Sequence, residues 1–209
     1  MGNGLTLPKK NWIYSRRRIV NMENLARYHV QLTGIRPLMF DRYAGDNNTN
    51  LPVEEKMYLD QNGCLTIPAV NIYSLLCAEN TKSVCRQYFG RAGKGISLGI
   101  AGFTTINPFE IKIHDDDGPV KFVGWNDQIY ISRHVARLAR GIPNPKERPT
   151  LALPWRLDFD MTYVKNKECT LENLRQALSM GGSLGIGTFR PYFGSYSMTA
   201  FDLIDELSF

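Results

Sequence analysis

No stretch of this chain approaches the roughly 18 uninterrupted apolar residues that a membrane-spanning helix needs. Its opening, MGNGLTLPKKNW, holds no apolar block of the kind found in a secretory leader. A soluble, cytoplasmic protein with no membrane partner is expected. Cysteine is scarce as well: Cys64, Cys77, Cys85 and Cys169 stand apart, with no CxxC pair and no Cys/His cluster. That pattern argues against a disulfide framework and a zinc site, and it predicts reduced, buried thiols. Acidic residues are missing from the first twenty positions, which carry Lys9, Lys10, Arg16, Arg17 and Arg18. The other 189 residues balance at 20 basic against 20 acidic, and within them residues 82–149 hold eleven basic and six acidic side chains. Basic charge is therefore concentrated in an N-terminal arm, residues 1–22, and in a middle segment. With 43% hydrophobic residues over 209 positions the chain can bury one sizeable core, so a disordered or fibrous protein is excluded.

Periodicity places the main elements. LARYHVQLTGI, residues 25–35, alternates as a first core strand, and residues 41–55 read as a polar, turn-rich loop. Asn62-Gly63 is the strongest hairpin signal. After Pro68 a short helix is predicted with Val70, Tyr73, Leu76 and Cys77 on one face. Residues 89–102, with five glycines, match neither GxxxxGK[ST] nor GxGxxG, so they predict a flexible basic loop and not a nucleotide site. FEIKIHDDDGPVKFVGW reads as a hairpin, its three acids beside His114 forming a turn and not a metal cluster, because consecutive side chains diverge. WRLDFDMTYV is a strand with Trp155, Leu157, Phe159 and Met161 on one face and Arg156, Asp158 and Asp160 on the other. Thr170 caps a helix whose end is placed at Gly181.

Three basic features could meet phosphate. The arm sets Arg16, Arg17 and Arg18 beside Trp12 and Tyr14, pairing charge with stacking. Arg133, Arg137 and Arg140 share a face if their segment is helical, whereas a strand would align only the first two, and Lys146 and Arg148 would extend the strip. Finally, GGSLGIGTFRPYFGSY joins Gly185, Gly187 and Gly194 to Arg190 and several aromatics. This is either an anion-binding concavity or a tight connection packed by its own rings, leading into a strand from Ser195 to Leu203.

The order strand, loop, helix, insertion, strand, helix, glycine-rich loop, strand predicts an α+β domain of ferredoxin-like or RRM-like type, with an arm at 1–22, a single domain at 23–209 and an insertion at about 82–150. GCLTIPAVNIYSLL resembles the segment of CRISPR-associated RAMP superfamily proteins in which an Ile-Pro precedes the first helix, and LGIGTFRPYFGSY resembles their glycine-rich loop. GIRPLMFDR, ERPTLALPWRLDFDM and GIGTFRPYFGSYSM are similar to uncharacterised proteins of phages and mobile elements that themselves resemble backbone subunits of CRISPR effector complexes. The resemblance implies a single-stranded nucleic-acid binder, RNA in preference to DNA, that multimerises along the strand with copies of itself or other subunits. A phage-encoded protein of this kind would work in the host cytoplasm. Residue by residue the resemblance reaches Gly185, Gly187, Arg190, Gly194 and Asn71, although Ala69-Val70-Asn71-Ile72-Tyr73 stands where the family usually has Ser-Ser-x-Lys-Gly.

Binding without catalysis, metal or cofactor is the leading expectation. An RNA-processing endoribonuclease is the alternative, with His29 or His134 as general base or with Asp41 or Asp46 supporting a metal-dependent cut. On this reading His29 lies among apolar neighbours. A third possibility is a structural interaction subunit of a phage or defence assembly.

Overall fold

Alternation of apolar and polar residues sets the centre of the molecule. The structure is a computed structural model that describes residues 25–46, 50–79, 82–137 and 143–207, without the side chains of residues 136, 137 and 207. In chain order the elements are β1 (Leu25–Gly34), β2 (Leu38–Met39), β3 (Thr66–Pro68), α1 (Ala69–Cys77), α2 (Val84–Tyr88), α3 (Gly93–Phe103), β4 (Thr104–Asn107), β5 (Glu110–His114), β6 (Ile129–Arg137), β7 (Pro143–Leu151), β8 (Arg156–Val164), α4 (Leu171–Leu184) and β9 (Tyr196–Leu207).

Strand β8 buries Leu157, Phe159, Met161 and Tyr163 while the residues between them stay partly exposed, as its alternation predicts. It lies antiparallel to β1, with Val30 opposite Phe159, and β1 lies antiparallel to β9, with Val30 opposite Phe201. The sheet runs β3-β5-β8-β1-β9, with β4 also on β8. Within it, the order β9-β1-β8-β5, with α1 between β1 and β5 and α4 between β8 and β9, is the split βαβ arrangement of the expected ferredoxin-like α+β fold. Helices α1 and α4 bring Ile72, Leu75, Leu76, Leu174 and Leu178 to the buried side of this sheet. A second sheet, β2-β7-β6, stands apart from it. Among the described residues no helix is long and apolar enough to cross a membrane.

Several expectations are corrected. Helix α1 buries Ala69, Ile72, Leu75 and Leu76, whereas Val70 is half exposed, so its core face is rotated from the predicted one. Residues 89–102 are not a loop but contribute most of α3. Two of its glycines are there for close packing: a β-carbon on Gly93 would lie 2.0 Å from the Cys85 carbonyl oxygen, and one on Gly99 would lie 2.4 Å from the Cys169 β-carbon. Helix α4 continues past Gly181 to Leu184, because Gly181 and Gly182 pack against Tyr196, whose hydroxyl donates to the Leu178 carbonyl at 2.8 Å. Its N-terminus is as predicted, with the Asn173 N–H donating to Thr170 Oγ1. The segment with the arginine strip, left open between helix and strand, is a strand, β6, paired antiparallel with β7.

Turn chemistry agrees with the sequence at two places. Asp60 Oδ1 accepts from the Asn62 and Cys64 N–H groups around Gly63, and Asp115 Oδ1 accepts from those of Asp117 and Gly118. These bonds matter electrostatically. The Cys64 N–H, with Asn62 and the Lys112 ammonium, holds Asp60 below the usual carboxylate range. Burial alone would raise Asp115, but hydrogen bonds from Gln128 and from the turn N–H groups outweigh it and lower its pKa.

Candidate nucleic-acid interface

The glycine-rich loop between α4 and β9 is shaped first by its own packing. Gly187 and Gly194 adopt φ of +81° and +71°. A β-carbon would meet the Met39 carbonyl oxygen at 2.4 Å in the first and the Ile186 carbonyl oxygen at 1.8 Å in the second. Gly185, at φ +82°, caps α4 by donating its N–H to the Gly181 carbonyl. Backbone bonds from Ile186 to Gly194, from Gly194 to Pro37 and from Thr188 to Met39 tie the loop to the segment after β1. These glycines therefore hold the loop to its own chain. What they present is Thr188 and Arg190.

Both line a cavity of about 190 Å³ together with Asn71 and Ser74 of α1, Tyr58, and Asp41 from the segment after β2. Asn71 sits in the first turn of α1 because Pro68 supplies an extended N-cap, so the side chain projects beside a helix start. Arg190 is half buried and its pKa is lowered by that desolvation, yet among the described residues its guanidinium donates only to the Gly185 carbonyl at 3.4 Å, a long contact. A guanidinium stays charged under such a shift. The cavity thus holds a cation with spare donors, ringed by neutral donors and acceptors and one carboxylate.

That carboxylate is engaged. Arg148 Nη2 meets Asp41 Oδ2 at 2.7 Å, and the guanidinium lies over the Phe189 ring, 4.8 Å from its centroid. Arg148 does not extend the basic surface, as the sequence had suggested, but is buried, and its Nε and Nη1 have no hydrogen-bond partner among the described residues. The reason is topology: β7 is the middle strand of its sheet, between β2 and β6. From β6, His134 touches Phe189 and Phe193 at centroid distances of 5.6 and 5.2 Å. Arg148 and His134 thereby connect the β6-β7 hairpin to the loop, a link no sequence pattern announced.

The other predicted residues scatter. Arg133 is 80% exposed and pairs with Glu147 at 2.6 Å. It is one residue from His134 along β6, so it points to the opposite side of the strand from the loop contact. Arg137 closes β6 opposite Pro143. Arg16, Arg17, Arg18 and Arg140 lie outside the described residues. The structure brings together Asn71, Gly187 and Arg190, places Gly185 and Gly194 in the same loop, and leaves Arg133 away from it.

His29 is not among apolar neighbours. It is on the open side of the main sheet, Nε2 3.6 Å from Asp158 Oδ1 and Nδ1 3.7 Å from Asp160 Oδ1, in a different trough that also includes His114. The two cavities share no residue. Among the described residues no group of three or more His, Cys, Asp or Glu side chains is placed to hold a metal ion.

No family model and no curated protein matches the chain. Its fold is similar to that of a chain in the cryo-EM structure of the Type III-B Cmr-beta bound to cognate target RNA, with a TM-score of 0.58, 12% identity, and coverage of 90% of this chain. At that identity the likeness shows the fold alone, and this chain spans only 64% of its neighbour's length.

Proposed function

We propose that this protein binds single-stranded RNA without cleaving it, as a subunit of a CRISPR-related ribonucleoprotein assembly. The observation that carries this reading is the convergence of Asn71, from the start of α1, with Thr188 and Arg190, from the loop after α4, on one polar cavity. A half-buried guanidinium with little internal satisfaction suits a phosphodiester, which gives back the charge-assisted hydrogen bonds that burial removed. The exposed Tyr192 offers a stacking face in the same loop, which Phe189 and Phe193 hold against His134. The fold's likeness to a chain from an RNA-bound complex supports RNA over DNA. On this reading the protein is similar to backbone subunits, multimerises along the strand, and comes from a phage or mobile element. Arg16, Arg17, Arg18, Arg133, Arg137 and Arg140 add phosphate contacts outside the cavity.

Labelled single-stranded RNA, single-stranded DNA and duplex, titrated across a salt series with a gel readout, test it. Tight single-strand binding with intact substrate and stepwise loading is the expected result. Arg190→Ala should weaken binding by about tenfold and reduce the salt slope by about one. No binding at low salt would overturn the reading.

Cleavage of the bound strand is the second reading, favoured by the position of Asp41 on the cavity wall. It requires product in the same gels that disappears in Asp41→Asn.

A further inference from the structure

The open side of the main sheet has the opposite character from the cavity. Across β8, β1 and β9 the register sets Asp160, His29 and Asp202 side by side in one row. Neighbours in such a row share a face at about 5 Å, so the two carboxylates flank His29 about 10 Å apart. The cations of this face are already committed: Arg27 to Asp205 at 3.1 Å and Arg156 to Asp158 at 3.2 Å. Asp202 and Asp116 have no ion pair among the described residues, and Asp160 has only His29. A trough of about 550 Å³ runs from His29 to Asp115 and Asp116 between them. With histidine neutral, the face presents a surplus of carboxylates to solvent.

The same chain supplies the complement. Residues 1–24 join the sheet at Leu25, the end of β1 from which the row containing His29 is four residues away, about 13 Å. Arg18 is seven residues upstream of Leu25 and can reach at most about 25 Å, so Arg16, Arg17 and Arg18 can lie over Asp160 and Asp202 if the chain doubles back. Lys9 and Lys10 then reach the Asp115 end. We infer that the basic arm docks in cis on this carboxylate-rich sheet face when no nucleic acid is bound. Each exposed pair is weak, but the tether holds the arm at high effective concentration. Phosphate is the denser anion and displaces the face as the arm's partner, so docking restrains the arm's non-specific binding. This goes beyond the proposed cavity function and does not rest on it.

The test uses the full chain without nucleic acid. Carbodiimide coupling at low salt, mapped by mass spectrometry on a mixture of ¹⁵N-labelled and unlabelled protein, should join Lys9 or Lys10 to Asp115, Asp116, Asp160 or Asp202 within single chains, and the links should vanish in 0.5 M salt, where the Debye length is a few ångströms (about 3 Å at 1 M). Trypsin should cut at Arg16–Arg18 severalfold faster in Asp160→Asn/Asp202→Asn than in the parent protein, with the melting temperature of the variant unchanged. Equal cutting rates, absence of links, or links mainly between labelled and unlabelled chains would overturn the inference. Failure here would leave RNA binding at Arg190 intact, and failure of RNA binding would leave the links intact.

Discussion

The two sides of the main sheet carry opposite chemistry on one backbone. On the side covered by helices, where the glycine-rich loop bonds to the segment that follows β1, Arg190 and Arg148 are taken partly or wholly out of water with incomplete partners among the described residues. On the open side, Asp158, Asp160 and Asp202 crowd around His29 in water, with two arginines held in ion pairs. The contrast indicates where a polyanion would fit. RRM domains lay RNA on the open sheet using exposed aromatics, but here that side carries carboxylates that would repel phosphate at neutral pH. The fold alone would point to the sheet, and the side chains point to the loop.

Breaking the loop should give the largest effect. Gly194→Ala puts a β-carbon within 1.8 Å of the Ile186 carbonyl at a φ of +71°, so backbone must move. We expect destabilisation of about 2–4 kcal/mol, read by denaturant melts, together with loss of RNA binding. Gly45→Ala is the control: its φ is also positive, but nothing lies within 4 Å, so about 1 kcal/mol is expected. Next comes Arg148→Ala, which strands Asp41 and removes the support under Phe189, at about 2–3 kcal/mol after allowing for Asp41's partial exposure. Arg148→Met should cost less, since it also removes two buried donors without partners. Arg156→Ala, on the open face, should stay within about 1 kcal/mol.

How much of this was legible depends on whether the determining contact is local. The alternation of β1 and β8 and the Thr170 cap are local, and they were read from sequence. So was the turn at Asp115, whose bonds span only a few residues. Helix α3 was misread because its glycines answer to Cys85 and Cys169, residues on other elements. Arg148 and His29 were misplaced for the same kind of reason: what surrounds them is set by the pairing of β7 with β2 and β6 and by the register of β8 and β9 on β1, which no single segment encodes. Asn71 and Arg190 were named together only through a family resemblance. Spacing within the chain gives no sign that residues more than a hundred positions apart share a cavity.

Opposite signs of effect on RNA affinity would sharpen the comparison further. Arg190→Ala should weaken binding about tenfold with the melt unchanged, whereas Asp160→Asn/Asp202→Asn should strengthen low-salt binding by about two- to fivefold, because removing carboxylates reduces repulsion and frees the basic arm. If both variants weakened binding, the open face would be part of the RNA site and the division between the two sides would fail.

The smallest expected effect is on acid stability, and it isolates the turn next to the open face. Asp115 has a lowered pKa in the fold, so its contribution to stability is present above the unfolded value near 3.9 and is lost as pH falls through the lower folded value. Asp115→Asn should therefore melt slightly below the parent at pH 6, and the gap should close below about pH 4. The thiols supply an internal check on packing across that range. Burial pushes Cys77 up to about 11 and Cys169 to about 12, so neither should alkylate appreciably in native protein at pH 7.5. Rapid labelling of Cys169 at any pH where the melt is still cooperative would mean that the segment leading into α4 opens locally from α3, and the turn's small contribution could then no longer be read from a two-state melt.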